Sequence, residues 1–338
     1  MADEGSASTS DRDGAAFVHA PVMVDLVVEL LQAVPDGIYL DATLGGGGHA
    51  EALLDAHPGL RLLGVDRDDA AIAAASRRLA RFGDRVEVVR SAFSDLERIV
   101  NEHRRSHAGR RIDEPTDTEG VTAVLFDLGV SSPQLDRPER GFSYRSSSRP
   151  DMRMDRRQTL SAMDVVNDYT FPQLARVIET YGEDRFAGRI ARAIVDARPI
   201  RDTVQLAEVI RDAVPAAARR RGGHPAKRTF QAIRIEVNRE MDQLADALDD
   251  AMAVLAPGGR MVVMSYHSLE DRAVKRAFHD AASGGCTCPP GLPCVCGATP
   301  TVRLLKRGAW KADAAEIAAN RRAESVRIRA VEAIPESA

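Results

Sequence analysis

The chain has 338 residues, a formal net charge of −4, 44% hydrophobic residues and 28% charged ones, the balance of a globular protein too long for one compact core. It contains no run of about 18 apolar residues, which argues against a membrane-spanning helix. The opening stretch, MADEGSASTSDRDG, lacks the basic and apolar regions of a secretory signal, so residues 1–15 are expected to form a disordered tail and the protein to be cytoplasmic.

Residues 38–43 (IYLDAT) predict a short buried strand ending in a glycine run, and 50–56 a helix. A second strand is expected over 61–66 (RLLGVD). A helix follows over 68–81, whose acidic start suits the positive end of the helix dipole. A third strand covers 85–89, and a helix 94–103 takes Ser94 as its N-cap. The polar stretch 104–120 reads as a loop. Residues 121–127 (VTAVLFD) are almost continuously apolar, as a strand covered on both faces should be. This alternation implies a doubly wound, mostly parallel α/β sheet with right-handed crossovers.

From 137 to 237 the pattern turns helical, over 172–181, 185–196, 203–213 and from about 228. The alternation then resumes. A helix at 238–255 is stopped by Pro257-Gly258-Gly259, a strand follows at 260–266 (RMVVMSY), a helix at 268–282 is capped by Ser268, and strands return at 301–306 and 325–331. The simplest organisation is one sheet domain, 16–136 and 238–332, interrupted by a helical insertion, 137–237.

Charge is unevenly placed along this plan. Residues 137–238 hold 20 Lys and Arg against 13 Asp and Glu, a balance of +7, while the remainder holds 26 against 37, or −11. Arg140, Arg145, Arg149, Arg153, Arg156 and Arg157 lie near Phe142 and Tyr144, offering phosphate contacts beside stacking surfaces. Arg219, Arg220, Arg221, Lys227 and Arg228 form a second cluster. A basic arm of this kind points to RNA and to an affinity that falls steeply with salt. Solvated faces of Arg-rich helices are the plainer alternative.

The first strand runs into Asp41-Ala-Thr-Leu-Gly45-Gly46-Gly47-Gly48-His49-Ala50, where glycines permit a tight turn close to a ligand. Asp66 ends the second strand, placed to accept hydrogen bonds from both hydroxyls of an adenosine ribose. A turn or helix-cap aspartate is the alternative. Two cofactor classes fit. The spacing Gly45-x-Gly47-x-x-Ala50 also satisfies a dinucleotide pattern, in which a helix N-terminus holds a pyrophosphate. A sulfonium methyl donor carries no phosphate and prefers acidic surroundings. Asp41, Asp66 and Asp127, at the ends of three strands, favour the sulfonium.

The stretch 125–135 (LFDLGVSSPQL) resembles the signature of the RsmH/MraW family of small-subunit ribosomal RNA methyltransferases. Further stretches agree: GFSY from 141, PDMRMD from 150, TYGEDRF from 180, RTFQA from 228 and SYHSLEDR from 265. The resemblance runs from about His19 to Glu332. It implies a class I fold dependent on S-adenosylmethionine with a helical insertion, and methylation of a cytosine N4 in 16S ribosomal RNA. It also implies cofactor contacts at Gly47, Gly48, His49, Asp66, Phe93, Asp127 and Gln134. Read alone, Phe93 would be ordinary core, His49 a capping or packing residue, and Gln134 a loop amide. The N-terminal tail and the loop at 104–120 depart from many relatives without touching a motif.

An exocyclic amine is a poor nucleophile because its lone pair is delocalised into the base. The expected catalytic group is therefore a hydrogen-bond acceptor for its N–H, either Asp127 or a group in 131–133. His267, after the fifth strand, either lines the substrate pocket or sits at a helix start. The target base must be single-stranded or flipped out of its stack. A nicotinamide-dependent oxidoreductase and a non-catalytic RNA-binding assembly factor are the rival readings. Finally, Cys286, Cys288, Cys294 and Cys296 lie within 11 residues, a spacing that fits a structural zinc site or a reduced, Pro-rich surface loop.

Overall fold

The computed structural model describes residues 21–107, 120–130, 134, 137–220, 223–289 and 295–335. The expected tail at 1–15, the centre of the loop at 104–120, and the acceptor candidates at 131–133 lie outside them, as do Arg221 and Cys294.

Among the described residues, seven strands form one sheet: β1 (Gly37–Asp41), β2 (Leu60–Asp66), β3 (Val86–Arg90), β4 (Val121–Asp127), β5 (Leu255–Ser265), β6 (Val302–Leu304) and β7 (Arg327–Ala333). Their spatial order is β3-β2-β1-β4-β5-β7-β6, and every pairing is parallel except those of β7 with β5 and with β6. Chain order reverses direction between β1 and β4. In a doubly wound sheet, that switch point opens a crevice beyond the strand C-termini. The fold is the α/β class I methyltransferase type expected from the sequence, a mostly parallel sheet covered by helices.

Two apolar layers sandwich the sheet. On one face α1 (Val24–Leu31), α2 (Gly48–Ala56) and α3 (Asp69–Leu79) pack on Tyr39, Leu62, Leu125 and Met264. On the other, α4 (Leu96–His107), α11 (Glu240–Ala253) and α12 (Ser268–Ser283) pack on Leu40, Leu63, Phe126 and Val263. Neighbouring residues of one strand thus face opposite layers, and both layers are apolar, which is why the strands read as continuous runs.

Between β4 and α11 lie α5 (Ala162–Asp168), α6 (Phe171–Gly182), α7 (Ala187–Asp196), α8 (Thr203–Ala213), α9 (Ala216–Arg219) and α10 (Ala226–Asn238). Ile178, Ile190, Leu206, Ile210 and Ile233 anchor a third apolar cluster that these helices share among themselves. Their starts are written locally. Asp202 accepts the N–H groups of Val204 and Gln205, and Ser161 forms a reciprocal capping box with Asp164. A short α13 (Ala314–Ala319) precedes β7. Among the described residues no helix is long and apolar enough to cross a membrane.

Two local expectations are corrected. Pro257-Gly258-Gly259 does not stop a helix, because α11 already ends at Ala253 and β5 begins at Leu255. The β4–β5 register steps from Val121↔Leu255 to Ala123↔Arg260, so the turn is absorbed as a bulge. The cap of α12 is His267, not Ser268. The His267 ring faces the Glu270 N–H, while the Glu270 carboxylate accepts the His267 N–H.

Candidate active site

A cavity of about 1640 Å³ opens at the C-terminal ends of β1, β2, β4 and β5. The loop after β1 is stitched across these ends. The Ala42 N–H donates to the Leu125 carbonyl at 2.9 Å, the Leu44 N–H to that of Val65 at 2.9 Å, and the Asp127 N–H to Thr43 Oγ1 at 2.6 Å. Asp41, Asp66 and Asp127 consequently border one space, together with Gly45, Gly46, His49, Phe93 and Gln134.

Each carboxylate has its own partners. Asp66 accepts the Gly45 N–H at 2.8 Å on one oxygen and the Asp68 N–H at 2.8 Å on the other. Each oxygen keeps a lone pair for further donors. Asp41 accepts the Tyr39 hydroxyl at 2.9 Å and the Thr43 N–H at 3.1 Å. Asp127 accepts the Tyr266 hydroxyl at 2.7 Å on Oδ1, while Oδ2 faces His49 Nδ1 at 3.7 Å. A carbonyl can only accept, so His49 Nε2 carries the hydrogen donated to Val22 at 2.9 Å. Burial raises all three acids above the ordinary carboxylate range, Asp41 to about 7. Three acids of raised pKa on one cavity form a site that gains by receiving positive charge.

Not all expected residues line the cavity. Gly47 and Gly48 turn away from it. Gly47 has φ +75°, and a Cβ there would meet Leu79 at 3.2 Å and Ala75 at 3.3 Å, so its smallness lets α2 and α3 approach. Phe93 packs edge-on to Phe126 with ring centroids 6.2 Å apart and shows its remaining surface to the cavity. Gln134 donates to Asp68 Oδ2 at 3.0 Å.

A second polar group completes the wall. Arg234 forks onto Glu240 with two contacts of 2.8 Å, and His267 Nε2 lies 3.0 Å from Glu270. Burial alone would raise the Glu270 carboxyl, but His267, Arg234 and the Tyr266 N–H hold it below its ordinary value. Ligand atoms of Glu240, His267 and Glu270 lie within 4.8 Å of one another, close enough for a metal. The Arg234 guanidinium balances one of the two carboxylates, pairing with Glu240 at 2.8 Å and lying 4.0 Å from Glu270, so the group is held together as an ion-pair network. Sequence reading found His267 and missed Arg67, Arg234, Glu240, Tyr266 and Glu270. Tyr266 and Glu270 lay inside the recognised stretch SYHSLEDR, where only the histidine drew a role.

The basic arm needs a sharper correction. Arg140 is 5% exposed and pairs with Asp68 at 2.8 Å, and Phe142 is buried. Arg153 is held by Asp151 at 2.8 Å. Arg140 is therefore tied up in the fold, whereas Arg153 stays partly exposed beside its partner and Phe142 shows its remaining surface to the cavity. Arg145, Arg149, Arg156, Lys227 and Arg228 are exposed, and Arg145 and Lys227 border the cavity. Tyr144 also borders it and stacks on His224 with centroids 4.5 Å apart.

The chain matches the MraW methylase family model over residues 16–334. It is 50% identical to the ribosomal RNA small subunit methyltransferase H of Thermobifida fusca over 98% of both chains. It is 50% identical to the protein of that name from Saccharopolyspora erythraea over the whole of both. A solved rRNA methylase of Streptococcus thermophilus aligns over 92% of this chain and 94% of its own at 12% identity, with a TM-score of 0.38. The match across nearly the whole sequence, with the strand-end carboxylates on one cavity, means that this chain belongs to the MraW methylase family.

Proposed function

We propose that this chain is an S-adenosylmethionine-dependent methyltransferase that methylates the exocyclic N4 of a cytidine in 16S ribosomal RNA, acting in the cytoplasm on RNA of the small ribosomal subunit. The observation that carries the reading is the convergence of Asp41, Asp66 and Asp127 on a cavity that exposed cations of residues 137–237 also border. Those residues act as the RNA-binding insertion of the sheet domain.

The cavity's donor set fits the cofactor. Asp66 would take the ribose hydroxyls, Phe93 would cover the adenine, and Asp41 and Asp127 would compensate the sulfonium, with His49 and Gln134 holding the acids around them. S-adenosylmethionine supplies an electrophilic methyl group. The protein's task is to orient the amine and hold its lone pair free. Orientation alone has a ceiling of about 7–11 kcal/mol. Asp127 Oδ2 is the acceptor for an amine N–H, because Oδ1 is already engaged by Tyr266. The carboxylates that favour a cation disfavour the pyrophosphate of a nicotinamide dinucleotide.

Calorimetry with S-adenosylmethionine and with NADH tests the cofactor class, and nucleoside mass mapping of 16S RNA with and without the protein tests the product. Binding of the first compound alone, with a methylcytidine that depends on the protein, is expected. NADH binding, or RNA binding with no cofactor binding, overturns the reading.

Acidity supplies a further expectation. Asp41 holds its proton up to about pH 7 in the folded chain, against about 3.9 when unfolded. Its contribution to stability is therefore complete below about pH 4 and is lost as pH rises through 7. A bound cation favours the ionised form, so S-adenosylmethionine affinity should climb as pH rises to about 7 and level off above it. The slope is at most about tenfold per pH unit for one proton released. S-adenosylhomocysteine, with a neutral sulfur, should give a flatter profile. Equal profiles for the two ligands would remove Asp41 from the cation site.

A further inference from the structure

The C-terminus of α12 carries a feature that methyl transfer does not use. Gly284 closes the helix at φ +62°, and a Cβ there would lie 2.5 Å from Thr299, so the chain on either side of this loop is pressed together. The Gly285 N–H donates to the Asp280 carbonyl at 3.1 Å, the Cys286 N–H to Ser283 at 3.1 Å, and the Thr301 N–H to Ala281 at 3.1 Å. These bonds fix both ends of a loop that bears Cys286, Cys288 and Cys296.

The three Sγ atoms lie within 4.8 Å of one another, with Cys286 and Cys296 Sγ 3.6 Å apart. Four thiolates about 2.3 Å from a tetrahedral zinc ion would have sulfurs about 3.8 Å apart. A disulfide would need about 2.05 Å. The Val295 N–H also points at Cys288 Sγ, at 3.5 Å, the direction of a donor that supports a metal-bound thiolate.

We propose that Cys286, Cys288 and Cys296 bind a zinc ion that staples this loop ahead of β6. Thiolate ligands select zinc over the hard divalent cations. Binding releases the thiol protons to solvent, and the ion undergoes no redox change. The site is structural. His267 and Glu270, at the other end of α12, border the catalytic cavity, and 16 helical residues separate the ends, a span of about 24 Å.

The test uses the full chain, purified with reductant and without chelator. Elemental analysis should find close to one zinc per chain, released to a chromogenic chelator when a mercurial blocks the thiols. Cobalt(II) added to the stripped protein should give the intense visible bands and the sulfur-to-metal charge transfer of a tetrahedral thiolate site. Cys286→Ser, Cys288→Ser and Cys296→Ser should each lose the stoichiometric zinc. S-adenosylmethionine affinity should be the same with and without the metal, which separates this site from the methyl-transfer reading. The proposal fails if the wild-type chain carries no stoichiometric zinc and gives only the weak cobalt spectrum of oxygen ligands. It also fails if the triple serine variant retains the metal, or if the intact mass is lighter by two hydrogens through a Cys286–Cys296 disulfide. The cobalt titration reads the wild-type chain, so it stands even if a variant fails to fold.

Discussion

Asp127→Ala should abolish measurable methyl transfer, a loss of at least about 10²–10³-fold, the scale of removing one preorganised polar partner of the reacting group. The fold should survive. The Asp127 N–H keeps its bond to Thr43 Oγ1 in the alanine variant, and the main loss is the acceptor of the Tyr266 hydroxyl, about 1–3 kcal/mol. Removing a carboxylate whose ionisation burial opposes offsets part of that cost. Turnover at saturating cofactor and RNA, set beside the calorimetric affinity for S-adenosylmethionine, assigns the role. Because Asp127 is assigned both to the amine and to the sulfonium, kcat should fall and cofactor affinity weaken together; a fall in kcat with affinity unchanged would leave the amine role alone, and weakened affinity with kcat preserved would leave the cofactor role alone. Asp127→Asn keeps an acceptor oxygen without the charge, so partial activity in that variant identifies hydrogen bonding, not charge, as the contribution. Near wild-type turnover in Asp127→Ala would take this residue out of the chemistry.

The parts of this site that were legible in the sequence are those set by short-range chemistry. The core of β1, and β2 and β4, announce themselves because a strand buried on both faces must be apolar throughout, and the acid at each tip marks where the strand leaves the core. Asp66 and Asp127 could therefore be placed without knowing the topology. The residues that were missed depend on contacts between distant segments. Arg234 and Glu240 pair across the break between α10 and α11, and Glu270 joins them from α12 at 4.0 Å. Arg67 follows the ribose acid in sequence, but its guanidinium reaches across to the Asn238 carbonyl at 3.3 Å. Composition cannot distinguish an arginine bound for a phosphate from one bound for a buried aspartate, and so Arg140 reads from the sequence like its exposed neighbours. Gly47 and Gly48 belong to the recognised motif, but they serve the packing of α2 against Leu79 and Pro21 and do not line the cavity.

Arg140→Ala should destabilise the protein by about 3–5 kcal/mol, the range for leaving a buried charge without its partner. Arg140 and Asp68 are 5% and 6% exposed, and the guanidinium also donates to the carbonyls of Arg153 and Met154 at 3.0 and 3.3 Å. Together with Gln134, which donates to the same Asp68 oxygen at 3.0 Å, this side chain fastens the segment after β4 to the end of β2, beside the acid proposed to hold the ribose. Asp68 donates its N–H to Asp66 Oδ1 at 2.8 Å and caps α3 through Ala70 at 3.0 Å. Without its counter-charge, Asp68 keeps the Gln134 amide and the Ala70 N–H, and a turn of its carboxylate toward water would drag on both. The variant should therefore lose S-adenosylmethionine affinity as well as stability, although Arg140 is absent from the cavity wall. Urea denaturation read by near-UV circular dichroism measures the first effect and calorimetry the second. Arg140→Met combined with Asp68→Asn removes both charges, keeps the cap on α3 and keeps bulk against Phe142. It should recover part of the lost stability, because the cost lies in a buried charge left without its counter-charge, while the amide of Asp68→Asn can no longer accept from both Ala70 and Gln134 on separate oxygens. A single Arg140→Ala variant as stable as the wild-type chain would mean that the hydrogen bonds from Gln134 and Ala70 suffice for Asp68, and that these with its apolar contacts hold the segment after β4 to the sheet.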